Sequence, residues 1–468
     1  MLDLSRPRTS RVGVASAAAP LLHAFRALRH RNFRLFTAGQ TVSLIGFWMQ
    51  QVAVSWLVYR LTDSAFLLGL VAFVSQAPVF VLAPFAGVLA DRINRHRLVI
   101  TTQALAMLQA FVLAGLVLSG NVTIGFILVL MTIQGAISGF DIPGRQSFLV
   151  AMVEDRADLP SAIALNSSMF NGARLAGPAI AGFAISAFGE GWVILINAIT
   201  YLAVLAALLA MDIPTRTPVR AAGAVLEHMR EGFGYAFRSH PIRAILLMVA
   251  MISVAGVPFT VLLPVVATDM LGGNARTLGL LTAATGLGAL TGALFLASRA
   301  SVRGLGRIIV AAALLFGSSL IAVSFSTSMW LSTAFLAGAG FGLMVQMAAS
   351  NTILQTIVDD DKRGRIMSLY SMAFIGIAPA GSLLAGALAA QLGTPATLAI
   401  GGAVCVLAAG GFAAQLPRLR ERIRPIYRRL GIIPEVAGGI QAVTQLTTPR
   451  VDGEAASNAP RGAQESAE

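Results

Sequence analysis

The chain has 468 residues, of which 56% are hydrophobic and 12% are charged, about half the charged fraction of an ordinary soluble domain. Its 34 Lys and Arg residues outnumber its 21 Asp and Glu residues, and its single cysteine excludes both a disulfide framework and a cysteine-based metal site. This composition excludes a typical soluble protein and indicates a membrane protein.

Twelve apolar stretches are long enough to cross a bilayer, which requires about 20 helical residues. Each must be an α-helix, because only a helix satisfies its own backbone hydrogen bonds in lipid. The first six predicted spans cover residues 34–59, 65–90, 97–119, 122–142, 162–188 and 191–211. The second six cover residues 243–269, 277–299, 305–325, 328–351, 366–391 and 394–415. The sequence therefore predicts an all-α membrane protein with 12 transmembrane helices.

The spans divide the chain into five predicted regions. They are a tail of residues 1–25, a six-helix bundle of residues 26–211, a connector of residues 212–242, a second six-helix bundle of residues 243–416 and a tail of residues 417–468. The connector has apolar residues four positions apart, as in an amphipathic helix on a membrane surface, at Val225, Met229, Phe233 and Phe237. The last tail is basic at first, which suits anionic lipid headgroups, and its later part is predicted to be disordered.

Arginines concentrate in alternate connections between the spans. The opposite set of connections has only Arg60 and Arg276. Because basic loops remain in the cytoplasm, we expect a multi-pass protein of the cytoplasmic membrane with both termini in the cytoplasm. Topology then explains the net charge of +13, so the expected partner is the lipid bilayer and not a nucleic acid.

The two halves of the sequence resemble each other. A shift of 204 positions pairs "LNSSMFNGARLAGPAIAG" at 165–182 with "LYSMAFIGIAPAGSLLAG" at 369–386, and a shift of 210 pairs residues 68–70 with residues 278–280. Transporters often consist of such repeats, with the ligand site at the interface between them. We therefore predict two pseudo-symmetric six-helix bundles.

The stretch "GVLADRINRHR" between spans two and three resembles the loop signature of the major facilitator superfamily. The matching residues are Gly87, Asp91, Arg92, Arg95 and Arg97. Asn94 stands where the family usually has glycine, and asparagine tolerates a positive φ better than most residues. The resemblance implies the major facilitator fold and a conformational latch that holds the outward-open state. For Arg95 and Arg97 the alternative is an ordinary basic loop.

Span five contains "GARLAGPAIAG", which is similar to the fifth-helix signature of the superfamily's exporters at Gly177, Pro178 and Gly182. The resemblance associates this antiporter-like helix with antiport. Two further stretches, "DIPGRQ" at 141–146 and "DDDKRGRIMSLY" at 359–370, resemble the branch that contains the enterobactin exporter and macrolide efflux proteins, the transmembrane secretion effectors. The resemblance therefore implies export.

Arg174 stands in the middle of span five. Its guanidinium keeps its proton, and a cation at the bilayer centre costs at least ~2.5–3.5 kcal/mol, so we expect it to face the bundle interior or a wet cavity. On a helical wheel Arg174 shares one face with Asn171 and Pro178. The alternative is a structural residue that ties a kinked helix to its neighbours.

Asp141 is the acid inside a span of the first half, with Arg145 four residues later. We predict that Asp141 lies near Arg174, directly or through water or Asn171, and that it takes up and releases the coupling proton. The alternative is that Asp141 and Arg145 only cap the end of span four.

Several residues share one face of span one, and we predict that they line a substrate cavity together with the neighbouring Gln51. They include Gln40, Phe47 and Gln50. Hydrogen bonding between helices is the alternative.

We therefore predict proton-coupled export of a small amphipathic molecule, either a siderophore or a drug-like compound, by alternating access. The alternatives are a lipid or lysophospholipid transporter, an importer and a non-transporting membrane sensor. The sequence has no GxxxxGK[ST] motif for ATP, and no nucleophile with a base and an orienting acid can be assembled. We expect a monomer that has no enzymatic activity, no cofactor and no metal, and whose partners are its substrate and protons.

Overall fold

The computed structural model describes residues 26–429 apart from residues 93, 154, 213–232 and 300, and for residues 83–92 and Arg156 it describes the backbone alone. The predicted N-terminal tail, most of the amphipathic connector and the predicted disordered part of the last tail lie outside the described residues. The described end of the connector, residues 233–238, is helical.

Twelve long helices make up most of the described chain, and the described residues contain no strand. The first six are α1 Arg31–Thr62, α2 Ala65–Arg92, α3 Arg95–Leu118, α4 Ile124–Ala151, α5 Leu159–Phe188 and α6 Glu190–Leu209. The second six are α7 His240–Met270, α8 Ala275–Ala297, α9 Leu305–Ser324, α10 Met329–Ile357, α11 Asp360–Leu392 and α12 Thr394–Arg429. Each predicted span overlaps one of these helices in order, which confirms the all-α fold.

Eleven of the described helices are long and apolar enough to cross a membrane. The remaining long helix is α5, which has 30 residues but includes Asn166, Asn171 and Arg174. This helix packs against α1 of its own bundle and against α8 of the other bundle. Its polar residues therefore need not face lipid, and its lower hydropathy is compatible with a position inside the protein.

Two helices are interrupted. The helix α7 is regular over His240–Ala255, resumes at Phe259 and ends in the π-helical turn Val266–Met270. In α11 the π-helical turn is Met372–Gly376. Such turns insert an extra residue into the helical repeat and are frequent at functional sites. Both interrupted helices contribute to the cavity described below.

The helix ends define two faces of the molecule. At the face that we call the short-loop face, helix pairs are joined by residues 63–64, 119–123, 189, 271–274, 325–328 and 393. We call the opposite end, where the arginine-rich connections lie, the basic face. Gly189 and Gly393 are one-residue turns with φ of 85° and 84°, a backbone conformation that favours glycine. They are 204 positions apart, so the sequence repeat extends to these turns.

Two pairs of helices make the most extensive contacts between the bundles, α5 with α8 and α2 with α11. A Cβ atom on Gly279 of α8 would lie 2.6 Å from the Cα atom of Gly182 on α5. Likewise, a Cβ atom on Gly386 of α11 would lie 2.9 Å from the Cα atom of Gly69 on α2. We call these contacts the glycine crossings. Each glycine lies less than two turns from the end of its helix at the short-loop face, so the bundles are in backbone contact there.

At the basic face, the first bundle is held together by aromatic and ionic contacts. His96 stacks on Phe148 with ring centroids 5.5 Å apart, and its Nε2 atom lies 2.8 Å from the carbonyl oxygen of Leu208. The buried carboxylate of Asp158, just before α5, pairs with Arg29 at 2.5 Å. These contacts join the segment before α1, the start of α3 and the ends of α4 and α6 into one packed core.

The described residues fall into two compact units, one that ends at Leu416 and one that begins at Pro417. The first unit contains both bundles.

Candidate functional site

A cavity of about 470 Å³ lies between the two bundles. Four helices of each half line it: α1, α2, α4 and α5, and α7, α8, α10 and α11. Small-molecule sites have volumes of roughly 300–1,000 Å³, so the cavity fits one small ligand. The described residues contain no group of three His, Cys, Asp or Glu side chains that could hold a metal ion.

Arg174 is the one charged side chain among the described residues that line the cavity. It lies about 22 Å along α5 from Leu159 at 1.5 Å per residue, close to the middle of the helix. Its guanidinium carbon lies 5.6 Å from the ring centre of Trp48 on α1. Within the described part of the chain, Arg174 has no ion pair and no hydrogen bond. It is a cation near the middle of its helix, and no described side chain supplies a counter-charge.

The contact with Trp48 does not offset the cost of this charge. A cation–π contact contributes about 0.5–2 kcal/mol, whereas an arginine at the bilayer centre costs at least ~2.5–3.5 kcal/mol. Trp48 also lines the cavity, and its own indole N–H is buried without a hydrogen-bond partner among the described residues. Two donors beside the cavity therefore lack an acceptor, which water or a ligand would have to supply.

The three residues of the antiporter-like helix face three different neighbours. A Cβ atom on Gly177 would lie 2.5 Å from the Cβ atom of Trp48, so the absent side chain lets α1 approach α5. Pro178 lines the cavity, and Gly182 forms a glycine crossing with Gly279 on α8. The signature therefore shapes the cavity wall and its contacts on both sides.

The predicted substrate face of α1 lies partly against α6. Gln50 accepts a hydrogen bond from the side-chain amide of Asn197 on α6 at 2.6 Å, which is the interhelical alternative. Gln40 is buried, and neither it nor Phe47 is among the described residues that line the cavity. Gln51 does line it. The difference arises because successive helical residues are rotated by about 100°, so Gln50 and Gln51 face different neighbours.

Asp141 lies between α3 and α4 and not in the described wall of the cavity. The carboxylate is buried, and Arg145 pairs with it at 2.6 Å on the same helix. The hydroxyl of Thr102 and the amide of Gln103, both on α3, donate to its other oxygen at 2.8 Å each. One ion pair and two hydrogen bonds from α3 therefore hold the Asp141 carboxylate.

The predicted contact between Arg174 and Asp141 is not formed. The reason is helix packing: α5 lies between α1 and α8, whereas α4 packs on α2 and α3. Asn171 does not bridge the two residues, because its amide donates to the backbone carbonyl of Ser167 at 2.9 Å. The consecutive helices α4 and α5 are therefore not close neighbours in the bundle.

Part of the predicted latch lies in the last two turns of α2, where the side chains are outside the described residues: Gly87, Asp91 and Arg92. Its other members, Arg95 and Arg97, are exposed at the start of α3. Asn94 has a φ of −61° and accepts hydrogen bonds from the backbone N–H groups of residues 96 and 97. Asn94 is therefore a helix N-cap, and its suggested tolerance of positive φ is not used.

Two contacts between the bundles near the short-loop face are absent from the predictions. The hydroxyl of Tyr59 on α1 donates to Oδ2 of Asp269 on α7 at 2.6 Å. The guanidinium carbon of Arg276, at the start of α8, lies 4.9 Å from the ring centre of Phe183 on α5. An acid at the end of span seven is the sequence feature that points to the first contact. Neither pairing follows from the pattern of a single span.

Two six-helix bundles around one central cavity define a membrane transporter of the major facilitator type. The chain belongs to the transmembrane secretion effector family, which it matches over residues 22–425. This match confirms the resemblance that the sequence motifs indicate, and the family is one of transporters.

Two relatives are transporters of similar length. The chain is 27% identical to a staphyloferrin A transporter of Staphylococcus aureus, over 80% of this chain and 94% of the relative. It is 26% identical to the multidrug efflux pump Tap of Mycolicibacterium fortuitum, over 79% of this chain and 92% of the relative. A solved POT family transporter, in complex with a thioalcohol conjugated peptide, has a TM-score of 0.66 at 12% identity over 83% of this chain and 96% of that chain. The last similarity shows the fold alone.

Proposed function

We propose that the chain is a secondary active exporter of the cytoplasmic membrane, which moves a small amphipathic molecule by alternating access to its central cavity. The observation that supports this most directly is a ligand-sized cavity between two repeat-related bundles that touch at the short-loop face. The related siderophore transporter and multidrug pump support a siderophore or a drug-like compound as the exported molecule.

In this proposal the basic face lies in the cytoplasm, because arginine-rich loops remain there. The short-loop face then lies outside, where the glycine crossings and the bond between Tyr59 and Asp269 close the cavity. Export requires these contacts to separate while the basic face closes. The latch residues, with Asp91 and Arg92 at their centre, stabilise the outward-open state at the basic face.

We propose proton exchange at Asp141 as the coupling step. Protonation would weaken the pair with Arg145 and the hydrogen bonds from Thr102 and Gln103, and so would loosen α3 against α4. A proton bound from outside and released inside would then drive the return of the empty carrier. The exporter works as a monomer without a cofactor.

Everted vesicles from cells that produce the chain test the proposal. After acidification of the vesicle interior, a transported compound from a panel of small amphipathic molecules should enter the vesicles and release protons. The matched negative control is Gly279→Leu, which places a side chain in a glycine crossing. Saturable binding to the purified protein without flux or proton release for any bound compound would instead indicate a sensor.

A further inference from the structure

Among the described residues that line the cavity, the charged side chain and the amide side chains all belong to the first bundle. The first bundle contributes Arg174, Trp48 and Gln51. No acidic side chain occurs among the described residues that line the cavity, so the charge of Arg174 is uncompensated there. In a cavity of low dielectric constant, such a charge attracts anions and repels cations.

The fold itself does not require this arginine. The shift of 204 positions pairs Arg174 with Ala378, and both residues line the cavity. The glycine three positions later is present in both halves: Gly177 lies against α1, and Gly381 lies against Val254 of α7. The same helix packing thus forms with alanine in place of arginine, so Arg174 serves something other than packing.

The opposite wall of the cavity offers little to a polar ligand. The second bundle contributes large apolar side chains at Phe259, Leu343, Met344, Met347 and Phe374. The hydroxyls of Thr282, Thr285 and Ser382 donate to backbone carbonyls of their own helices. Methionine side chains adapt to ligands of different shape, so this wall fits a variable apolar group.

We propose that the substrate is an amphipathic oxyanion, whose carboxylate or phosphate group binds to Arg174 and the indole N–H of Trp48 while its apolar body packs against the second bundle. A planar guanidinium recognises both oxyanions through paired hydrogen bonds. This inference rests on the proposed function, because it identifies the class of molecule that the exporter carries.

The test measures binding of three matched probes to the purified full chain in nanodiscs of zwitterionic lipid. The probes share one aromatic body and differ in charge: 2-naphthoate, 2-naphthamide and 2-naphthylmethylammonium. Isothermal titration calorimetry should give the tightest binding for the carboxylate, with about a 10- to 100-fold advantage over the ammonium, as expected for a hydrogen bond between charged groups. Empty nanodiscs correct for partition into lipid, and 2-naphthyl phosphate compares the two oxyanions.

Three variants connect this preference to the cavity. Arg174→Gln should abolish the preference for the carboxylate, whereas Arg174→Lys should retain part of it, because the charge remains. Trp48→Phe should weaken naphthoate binding several-fold, because it keeps an aromatic ring at this position and removes the N–H donor. The matched control is Arg303→Gln, which removes the same charge from an exposed loop and should bind the probes like the wild type. Elution as a single species and an unchanged unfolding midpoint without ligand show that each variant is folded.

Several results would overturn the inference. They are equal affinity for the three probes, tighter binding of the ammonium, no binding of the naphthoate, and an undiminished preference in folded Arg174→Gln. The proposed function fails differently: naphthoate would bind with the expected preference, yet neither it nor any other bound compound would enter everted vesicles. Transport of an amphiphile without any charge preference would contradict the inference alone.

Discussion

The bundle of α1–α6 and the bundle of α7–α12 place glycine at the same positions of their helices. Gly177 and Gly381 bring the fifth helix of each bundle against the first, and Gly182 and Gly386 bring it against the other bundle. At all four positions a Cβ atom would meet backbone or side-chain atoms at 3.0 Å or less. Because any side chain would push the helices apart, both halves need glycine there.

The same two bundles differ in their charged residues. Arg174 has Ala378 as its counterpart. The fourth helix of the first bundle contains Asp141 and Arg145, whereas α10, the fourth helix of the second bundle, contains no charged residue. The glycines shared by the halves therefore serve helix packing, whereas Arg174 and Asp141 are the charged residues that we propose for ligand binding and for coupling. The following substitutions test this division, in order of decreasing effect.

Asp141→Asn should cause the largest loss, because a residue that cannot exchange a proton cannot couple transport to the gradient. The amide oxygen still accepts hydrogen bonds from Thr102 and Gln103, which keeps the link between α3 and α4, whereas the ion pair with Arg145 is lost. We expect no gradient-driven accumulation in everted vesicles, with binding and exchange down a substrate gradient retained. Proton release like that of the wild type would contradict the coupling role. Loss of the folded protein would identify the carboxylate as a structural link between α3 and α4.

Gly279→Ala and Gly386→Ala should both favour opening of the short-loop face, to a similar extent. Each added methyl group meets backbone atoms that cannot move without separating the helices. Overpacking of about 1–3 kcal/mol corresponds to a roughly 5- to 150-fold shift of the conformational equilibrium.

Labelling of Ser55→Cys by an impermeant maleimide on intact cells measures this shift. Ser55 lines the cavity, and the native Cys405 is buried. The matched control is Gly115→Ala, since a Cβ atom there meets nothing within 4 Å. An effect at one crossing without the other would break the equivalence of the two bundles.

Gln50→Ala and Gln51→Ala should have opposite consequences although the residues are adjacent. Gln50 bonds to Asn197 within the bundle, and interhelical hydrogen bonds in membranes contribute about 1 kcal/mol. Its loss should lower the thermal unfolding midpoint in detergent and leave ligand affinity unchanged. Gln51→Ala should weaken ligand binding without a change in the midpoint. A reversed pattern would mean that the cavity lies on the other face of α1.

These two glutamines also illustrate which features of the structure can be predicted from the sequence alone. Hydropathy predicts the spans, because each span must be apolar enough to cross the bilayer by itself. The repeat predicts which glycines of the two halves correspond to each other. A helical wheel, however, shows which residues share a face and not which neighbour that face meets. The wheel therefore predicts Gln50 at the cavity and a contact between Arg174 and Asp141, whereas Gln50 meets α6 and the helices of Arg174 and Asp141 do not pack closely. The contacts of Trp48 with Arg174 and Gly177 depend on the packing of the whole protein, and so does the contact between Tyr59 and Asp269.

The contact between Tyr59 and Asp269 lies on neither glycine crossing and should have the smallest effect. The bond at 2.6 Å joins the first helix of each bundle, but Asp269 is exposed, so water can replace its partner. Tyr59→Phe should increase labelling of Ser55→Cys by roughly 2- to 5-fold, which corresponds to a net hydrogen bond of about 0.5–1 kcal/mol.

Asp269 also accepts a hydrogen bond from its neighbour Thr268 at 2.8 Å, so Asp269→Ala alone would remove two contacts. A double-mutant cycle isolates the bond to Tyr59, because the contribution of Thr268 cancels. If the bond closes the short-loop face, Tyr59→Phe should have little further effect once Asp269 is replaced. Additive effects of the two substitutions would show that the residues act independently, and closure would then depend on the glycine crossings that the two bundles share.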